Sequence, residues 1–307
     1  MASDLLGRTN RAFPHVWLSL SPPYDSWSEP WPKELVEAAI AANTVIDISG
    51  NPGLFGGQMR GTDACLMAKG TLDIERASDQ NHACDLVQAH LIQTLSAIGR
   101  ENIDFYFLRV RKPLQEFQIQ GSLEAMESAK QDGHIGFVGL SSEGAPLTTL
   151  GLWQFHDAFE VILTPRNHYS DESYRTLQPM AAERRVGVIT SQPLNWGYGL
   201  PFVQIPDLWR LRNLTQSFYG LTLAQAAIAD LAKDHPVLVG VRNLAEIQAA
   251  IEAPSRNLPN GLDAMLEPFR ETFDDDEFWT GLLDSVRPEL KQAAERRRAD
   301  ILTGSAS

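Results

Sequence analysis

A series of polar and charged side chains falls at or just after the ends of short runs of β-branched and aromatic residues: Asp47, Lys69, Arg109, Ser141-Ser142, Arg166-Asn167-His168, Gln192 and Arg242. In a closed parallel barrel, groups at the C-terminal ends of strands converge on one mouth, so such a series is a candidate constellation rather than scattered surface charge. Asp47 and Lys69, on neighbouring strands, are placed for an ion pair, and a partly shielded lysine is one whose proton affinity is readily tuned. Arg109 stays protonated near neutral pH, so it can stabilise an oxyanion or hold a carboxylate in a bidentate grip, but it cannot act as an ordinary acid. Arg242 precedes Asn243-Leu244-Ala245-Glu246, an N-capped helix start whose N–H groups favour an anion; pairing with Glu246 one turn on is the competing use of its guanidinium.

The elements that must position these groups alternate along the chain. Eight short runs read as strands: Val16–Ser19, Thr44–Ile48, Ala64–Ala68, Ile103–Leu108, Ile135–Leu140, Phe159–Leu163, Val186–Thr190 and Val237–Val241. Between most of them lie amphipathic stretches of helical period: Lys33–Ala42, Asn81–Ile98, Gln118–Gln131, Tyr174–Arg184 and Leu223–Lys233. Eight such units without a composition break point to α/β architecture in the form of a single (β/α)8 TIM barrel over residues 1–253. A C-terminal helical extension over 254–307 is expected to pack on it. No GxGxxG fingerprint supports a doubly wound sheet, and the glycines at 53, 56 and 57 read as a flexible loop. The stretch from Ser191 to Gly220, rich in proline and aromatic residues, reads as a functional loop.

Composition excludes several classes. With 43% hydrophobic and 21% charged residues the chain has ample material for a large core, and its net charge of −13 offers no attraction to nucleic acid or an anionic membrane. Cys65 and Cys84 form no disulfide framework and read as reduced thiols of a cytoplasmic protein. Neither an apolar span nor an N-terminal signal segment is apparent. The chain lacks HExxH, P-loop, GxSxG and EF-hand patterns, and its seven histidines are scattered, so no metal site is expected. Only His168 is placed for catalysis, and a plain polar role competes with that use.

The order of these segments resembles the aldo-keto reductase superfamily from about Val16 to Ala253. "AANTVIDISGN", "ACLMAKG", "LIQTLSAIGRENIDFYFLRVRKP", "SLEAMESAKQDGHIGFVGLSS", "VITSQPLNWG" and "LTLAQAAIADLAKDHPVLVGVRNLAEIQAAIEA" carry the resemblance. It implies carbonyl reduction with NADP(H) bound across the mouth. Asp47 and Lys69 match the family's Asp and Lys, whereas Phe55 stands for the proton-donating Tyr and Arg109 for the His, a degenerate catalytic tetrad. Phe has no proton to give. The cofactor would lie against Ser141, Ser142, Arg166, Gln192, Pro193 and Leu194, with its phosphate end near Gly240, Arg242, Asn243 and Glu246. Of the aromatic residues between His15 and Trp31, Tyr24, Trp27 and Trp31 are the expected substrate-mouth residues, with Tyr198 of the later loop; Trp17 is expected in the core.

Three readings follow. The first is an atypical NADP(H)-dependent oxidoreductase acting on a small polar or acidic metabolite, with Lys69, Tyr24 or Tyr198 as substitute proton donor and Arg109 and Arg166 motivating the acidic substrate; a place in specialised biosynthesis would suit it. The second is a lyase, isomerase or cyclase using Asp47 as base and Arg109 as electrophile. The third is a non-catalytic cofactor-binding regulatory subunit. The partner is a small molecule in the enzymatic readings, and the sequence assigns no oligomeric state.

Overall fold

In the computed structural model, which describes residues 5–20, 30–167, 171–193, 221–256 and 258, the strands close into one parallel barrel. They are β1 (Val16–Leu20), β2 (Val45–Asp47), β3 (Cys65–Lys69), β4 (Ile103–Val110), β5 (Ile135–Ser142), β6 (Val161–Pro165), β7 (Gly187–Ser191) and β8 (Val237–Val241). Each pairs with its sequence neighbours, and β8 returns to β1 through Val16↔Val237 to Leu20↔Val241. The helices are α1 (Lys33–Ala41), α2 (Gln80–Ile98), α3 (Glu116–Gln131), α4 (Pro146–Phe155), α5 (Glu172–Arg184), α6 (Leu223–Leu231) and α7 (Leu244–Glu252).

Local chemistry starts and stops these elements. Asp79 caps α2 by accepting from the His82 N–H, and Gly99 ends it in the left-handed region at φ 67°. Thr222 and Gln225 form a capping box on α6, and Asn243 caps α7 through the Glu246 N–H. The sequence pattern had no helix at Pro146–Phe155. That segment, PLTTLGLWQF, is apolar nearly all round and so lacks a stripe to read, although its proline at the first helical position marks the start.

Two packed layers result. Residues of one parity along the strands, among them Trp17, Val45, Met67, Phe105, Phe107, Val161, Leu163, Ile189 and Leu238, form a cluster filling the lumen. Residues of the other parity pack outward with the helices. The lumen core is aromatic: Phe105 lies 4.9 Å from Trp17, 5.1 Å from Phe137 and 5.0 Å from Phe13, measured between ring centroids. Gly139 makes room for it, since a Cβ there would come within 2.3 Å of the Phe107 ring. Trp17 is fully buried, as expected, with its indole N–H donated to the Pro14 carbonyl. An antiparallel bridge between Leu5 and Ala12 lies at the N-terminal end, where Leu6 joins the lumen cluster and packs against Gly187. At this end the Arg11 guanidinium lies over the Phe13 and Phe137 rings, closing the aromatic layer from below.

Among the described residues no helix is long and apolar enough to cross a membrane. Cys65 and Cys84 are both free thiols. The C-terminal segment, apart from Leu258, lies outside the described residues beyond Arg256.

Phe105, wholly buried at the centre of the lumen cluster, is the most sensitive test of this packing. Phe105→Ala should lower unfolding free energy by about 3–5 kcal/mol in urea titrations, because the surrounding strands cannot collapse into the void. A loss no greater than that of an exposed-site control would show that the lumen is not packed as described.

Candidate active site at the barrel mouth

The parity that buries the lumen aromatics continues upward into charge. Met67 and Phe107 face the lumen, so Lys69 and Arg109, two residues further along the same strands, face it too; Asp47 follows Val45, and Ser141 follows Phe137 and Gly139. Asp47, Lys69, Arg109 and Ser141 are therefore brought together at the mouth, as the sequence predicts. On these strands the lumen-facing positions contain no tyrosine: Tyr106, of opposite parity, is buried outward, its hydroxyl 2.8 Å from His90 Nδ1, and burial raises its pKa far above the usual range.

The expected ion pair between Asp47 and Lys69 does not form. Asp47, 6% exposed, instead accepts from Ser19 Oγ at 3.1 Å, from the Ser49 N–H at 2.9 Å and from Ser49 Oγ. Ser49 Oγ in turn accepts from the Lys69 backbone N–H at 2.7 Å, so the Asp47 carboxylate reaches the Lys69 backbone and not its ammonium. Three short-range donors on adjoining β1 and the β2 turn satisfy the carboxylate more cheaply than ordering a long lysine stem over it.

The partner of Lys69 is Glu143, which the sequence reading missed. Its Oε2 accepts from Arg109 Nε at 2.9 Å and Nη2 at 2.7 Å, while its Oε1 accepts from Ser141 Oγ at 3.2 Å and lies 3.7 Å from Lys69 Nζ. The three charged side chains are similarly shielded, 20% exposed for Glu143, 23% for Lys69 and 27% for Arg109. Burial acts to raise the Glu143 pKa, but the charges of Lys69 and Arg109 and the hydrogen bonds from Arg109 and Ser141 outweigh it and hold it below the ordinary carboxylate value. Nearby, the Glu75 carboxylate takes Arg111 at 2.9 Å and Lys112 at 3.1 Å, fastening the turn after β3 to that after β4.

Other predicted residues are placed differently. Ser142, level with Val110, turns into the helix layer, where its Oγ accepts from Thr149 Oγ1 at 3.0 Å. Arg166 bonds Asp234 at 3.0 Å and stacks over the Tyr174 ring at 4.2 Å, and the Tyr174 hydroxyl meets His235 Nε2 at 3.0 Å. That cluster joins α5 to the approach to β8, so Arg166 is engaged outside the lumen. Phe55 and Trp31 are buried in the outer core, their ring centroids 6.4 Å apart, which corrects the expectation that Trp31 lines the mouth. Gln192 adopts φ +60°, unusual for a residue with a side chain, and Pro193 is buried. Gly240 is exposed and pairs in register with Ser19. Arg242 bonds Glu246 through its Nη2 at 2.7 Å, so the competing use of its guanidinium is realised, while Asn243 caps the helix. Tyr24, Trp27, His168, Leu194 and Tyr198 lie outside the described residues.

The Glu143 network generates a pH-dependent signature. Because the folded-state pKa is depressed, its stabilisation is complete above the ordinary glutamate value of 4.5 and is lost as pH falls through the lowered one. At pH 7 Glu143→Gln should cost about 1–3 kcal/mol, since it leaves charged donors without their acceptor. The gap from the unsubstituted protein should close in acid. Urea titrations over a pH series check this, and a pH-independent gap would count against the network.

The fold of the chain is similar to an aldo-keto reductase from Klebsiella pneumoniae in complex with NADPH, at 17% identity and TM-score 0.68, covering 87% of this chain and 94% of that one. An aldo/keto reductase from the same organism in complex with NADP and acetate is 18% identical, with TM-score 0.66 and the same coverage of 87% and 94%. Aldose reductase from Giardia lamblia is 15% identical, with TM-score 0.64, covering 84% of this chain and 93% of that one. No protein-family model matches the chain, and no curated protein is similar to it in sequence. What these structures share with the chain is architecture: it is built on the fold of the aldo-keto reductases.

Proposed function

We propose that the chain is a divergent aldo-keto reductase, a cytoplasmic NADP(H)-dependent oxidoreductase that interconverts a carbonyl and an alcohol on a small polar molecule. The observation that carries this reading is the convergence of Lys69, Arg109, Ser141 and Asp47 at the C-terminal ends of the strands in a barrel of that fold. The acidic substrate is not retained, because Arg109 and Arg166, which motivated it, are already paired with Glu143 and Asp234.

The residues near β8 fit a phosphate-bearing group. Gly240 is exposed in register with Ser19, the Asn243-capped start of α7 follows it, and the Arg242 side chain is 46% exposed while bonded to Glu246. Bound NADP(H) would supply the hydride equivalent. The chain supplies the rest: Arg109 polarises the carbonyl oxygen, and the Lys69 ammonium gives a proton to that oxygen as it becomes an alcohol. Lys69 takes this role because its ammonium stands beside Arg109 at the mouth, where Phe55 has no proton to give; Tyr24 and Tyr198, the other candidate donors, lie outside the described residues. Asp47 and Ser49 hold the backbone of Lys69, and Glu143 holds its ammonium.

Titration with NADPH, read by tryptophan fluorescence, tests the cofactor assignment without needing a substrate. Binding is expected to weaken about tenfold or more in Arg242→Ala. Lys69→Met should retain NADPH binding and lose turnover of the carbonyls reduced by the unsubstituted protein, and full activity in that variant would remove Lys69 from its role. No binding of NADPH or NADH would turn the assignment toward a cofactor-free lyase or isomerase, and binding without turnover toward a regulatory subunit.

A further inference from the structure

Arg109, Lys69 and Ser141 together make a pocket for one carboxylate, and the carboxylate in it belongs to the chain. Glu143 receives two hydrogen bonds from the Arg109 guanidinium and one from Ser141, with the Lys69 ammonium at 3.7 Å. Its backbone is held in place. The Glu143 N–H donates to the Val110 carbonyl at 2.9 Å, and at Gly144 a Cβ would come to 1.8 Å from the Arg111 carbonyl oxygen, so the rims of β4 and β5 touch there. The occupant can leave only by rotating its own side chain out of three charge-assisted contacts.

We propose that Glu143 is a specificity-determining residue: it fills the anion subsite of the mouth from within, so that the site takes uncharged carbonyl compounds or alcohols and rejects those carrying a carboxylate beside the reacting carbon. A ligand carboxylate must either share two cations with Glu143 at close range or expel it, and both oppose binding through unpaired or like charge. The substrate class rests on the reductase reading above, whereas the occupied subsite stands on the geometry alone.

Glu143→Ala removes a methylene and a carboxylate, the heavy atoms of acetate, which makes acetate the probe. Calorimetric titration should show no saturable binding to the unsubstituted protein and saturable millimolar binding to Glu143→Ala. Adding Arg109→Leu or Lys69→Met to Glu143→Ala should weaken that binding about tenfold or more. Equal binding to the unsubstituted protein and Glu143→Ala, or none to a folded Glu143→Ala, overturns the proposal. If Glu143→Ala does not fold, Glu143→Ser frees the space of the carboxylate, keeps one oxygen acceptor and leaves two cations without a countercharge. Its melting temperature should then rise with sodium acetate well beyond that of the unsubstituted protein, and an equal rise overturns the proposal. For turnover, a neutral ketone should outperform its 2-oxo-acid counterpart in the unsubstituted protein, and Glu143→Ala should move kcat/KM toward the oxo acid about tenfold. Acetate binding as expected without NADPH binding would sink the reductase reading alone; ketone reduction with acetate results as in the overturning case would sink the Glu143 inference alone.

Discussion

The alternation of side chains across closed parallel strands decides both what fills this protein and where its charges meet. Once Met67, Phe105 and Phe107 are committed to the lumen, Lys69 and Arg109 have no other side on which to emerge. The aromatic packing of Trp17, Phe13, Phe105 and Phe137 then occupies the lower lumen, and Lys69, Arg109 and Ser141 stand above it at the upper rim. A shift of one residue in any of these strands would turn its chemistry into the helix layer. Ser142 shows the consequence, since one step from Ser141 places its hydroxyl against α4.

Electrostatics at the rim follow from which carboxylate reaches which cation. Asp47 stands on a short strand beside Ser19 and Ser49, and these nearby donors satisfy it. Lys69 and Arg109 are left to Glu143, which emerges just beyond β5, the strand that pairs with β4. Two cations and one carboxylate at this shielding form a network in which each member depends on the others. An arginine that by type alone promised to seize an acidic ligand is thereby given an internal one. The same rule applies on the outside of the barrel, where Asp234 and the Tyr174 ring take up Arg166 and burial holds neighbouring His235 down to about pKa 4.

Much of the fold was legible in the chain because its causes are local: period-two and period-3.6 patterning and the cap at Asn243 are visible without knowing any neighbour. The eight strands were foreseen to within a few residues for the same reason, and α4 was not, because a helix apolar on nearly every face carries no stripe. By itself the sequence determined that Asp47, Lys69, Arg109 and Ser141 crown one mouth, since strand order and parity are enough for that. Only the tertiary structure decided who pairs with whom. Glu143 lay hidden because β5 runs to Ser142, two residues past the predicted end at Leu140, so that an acid read as loop shares the lumen parity of Ser141. Trp31 and Phe55 went to the core for a similar reason: burial depends on the elements that arrive over a residue, and no linear pattern states which those will be.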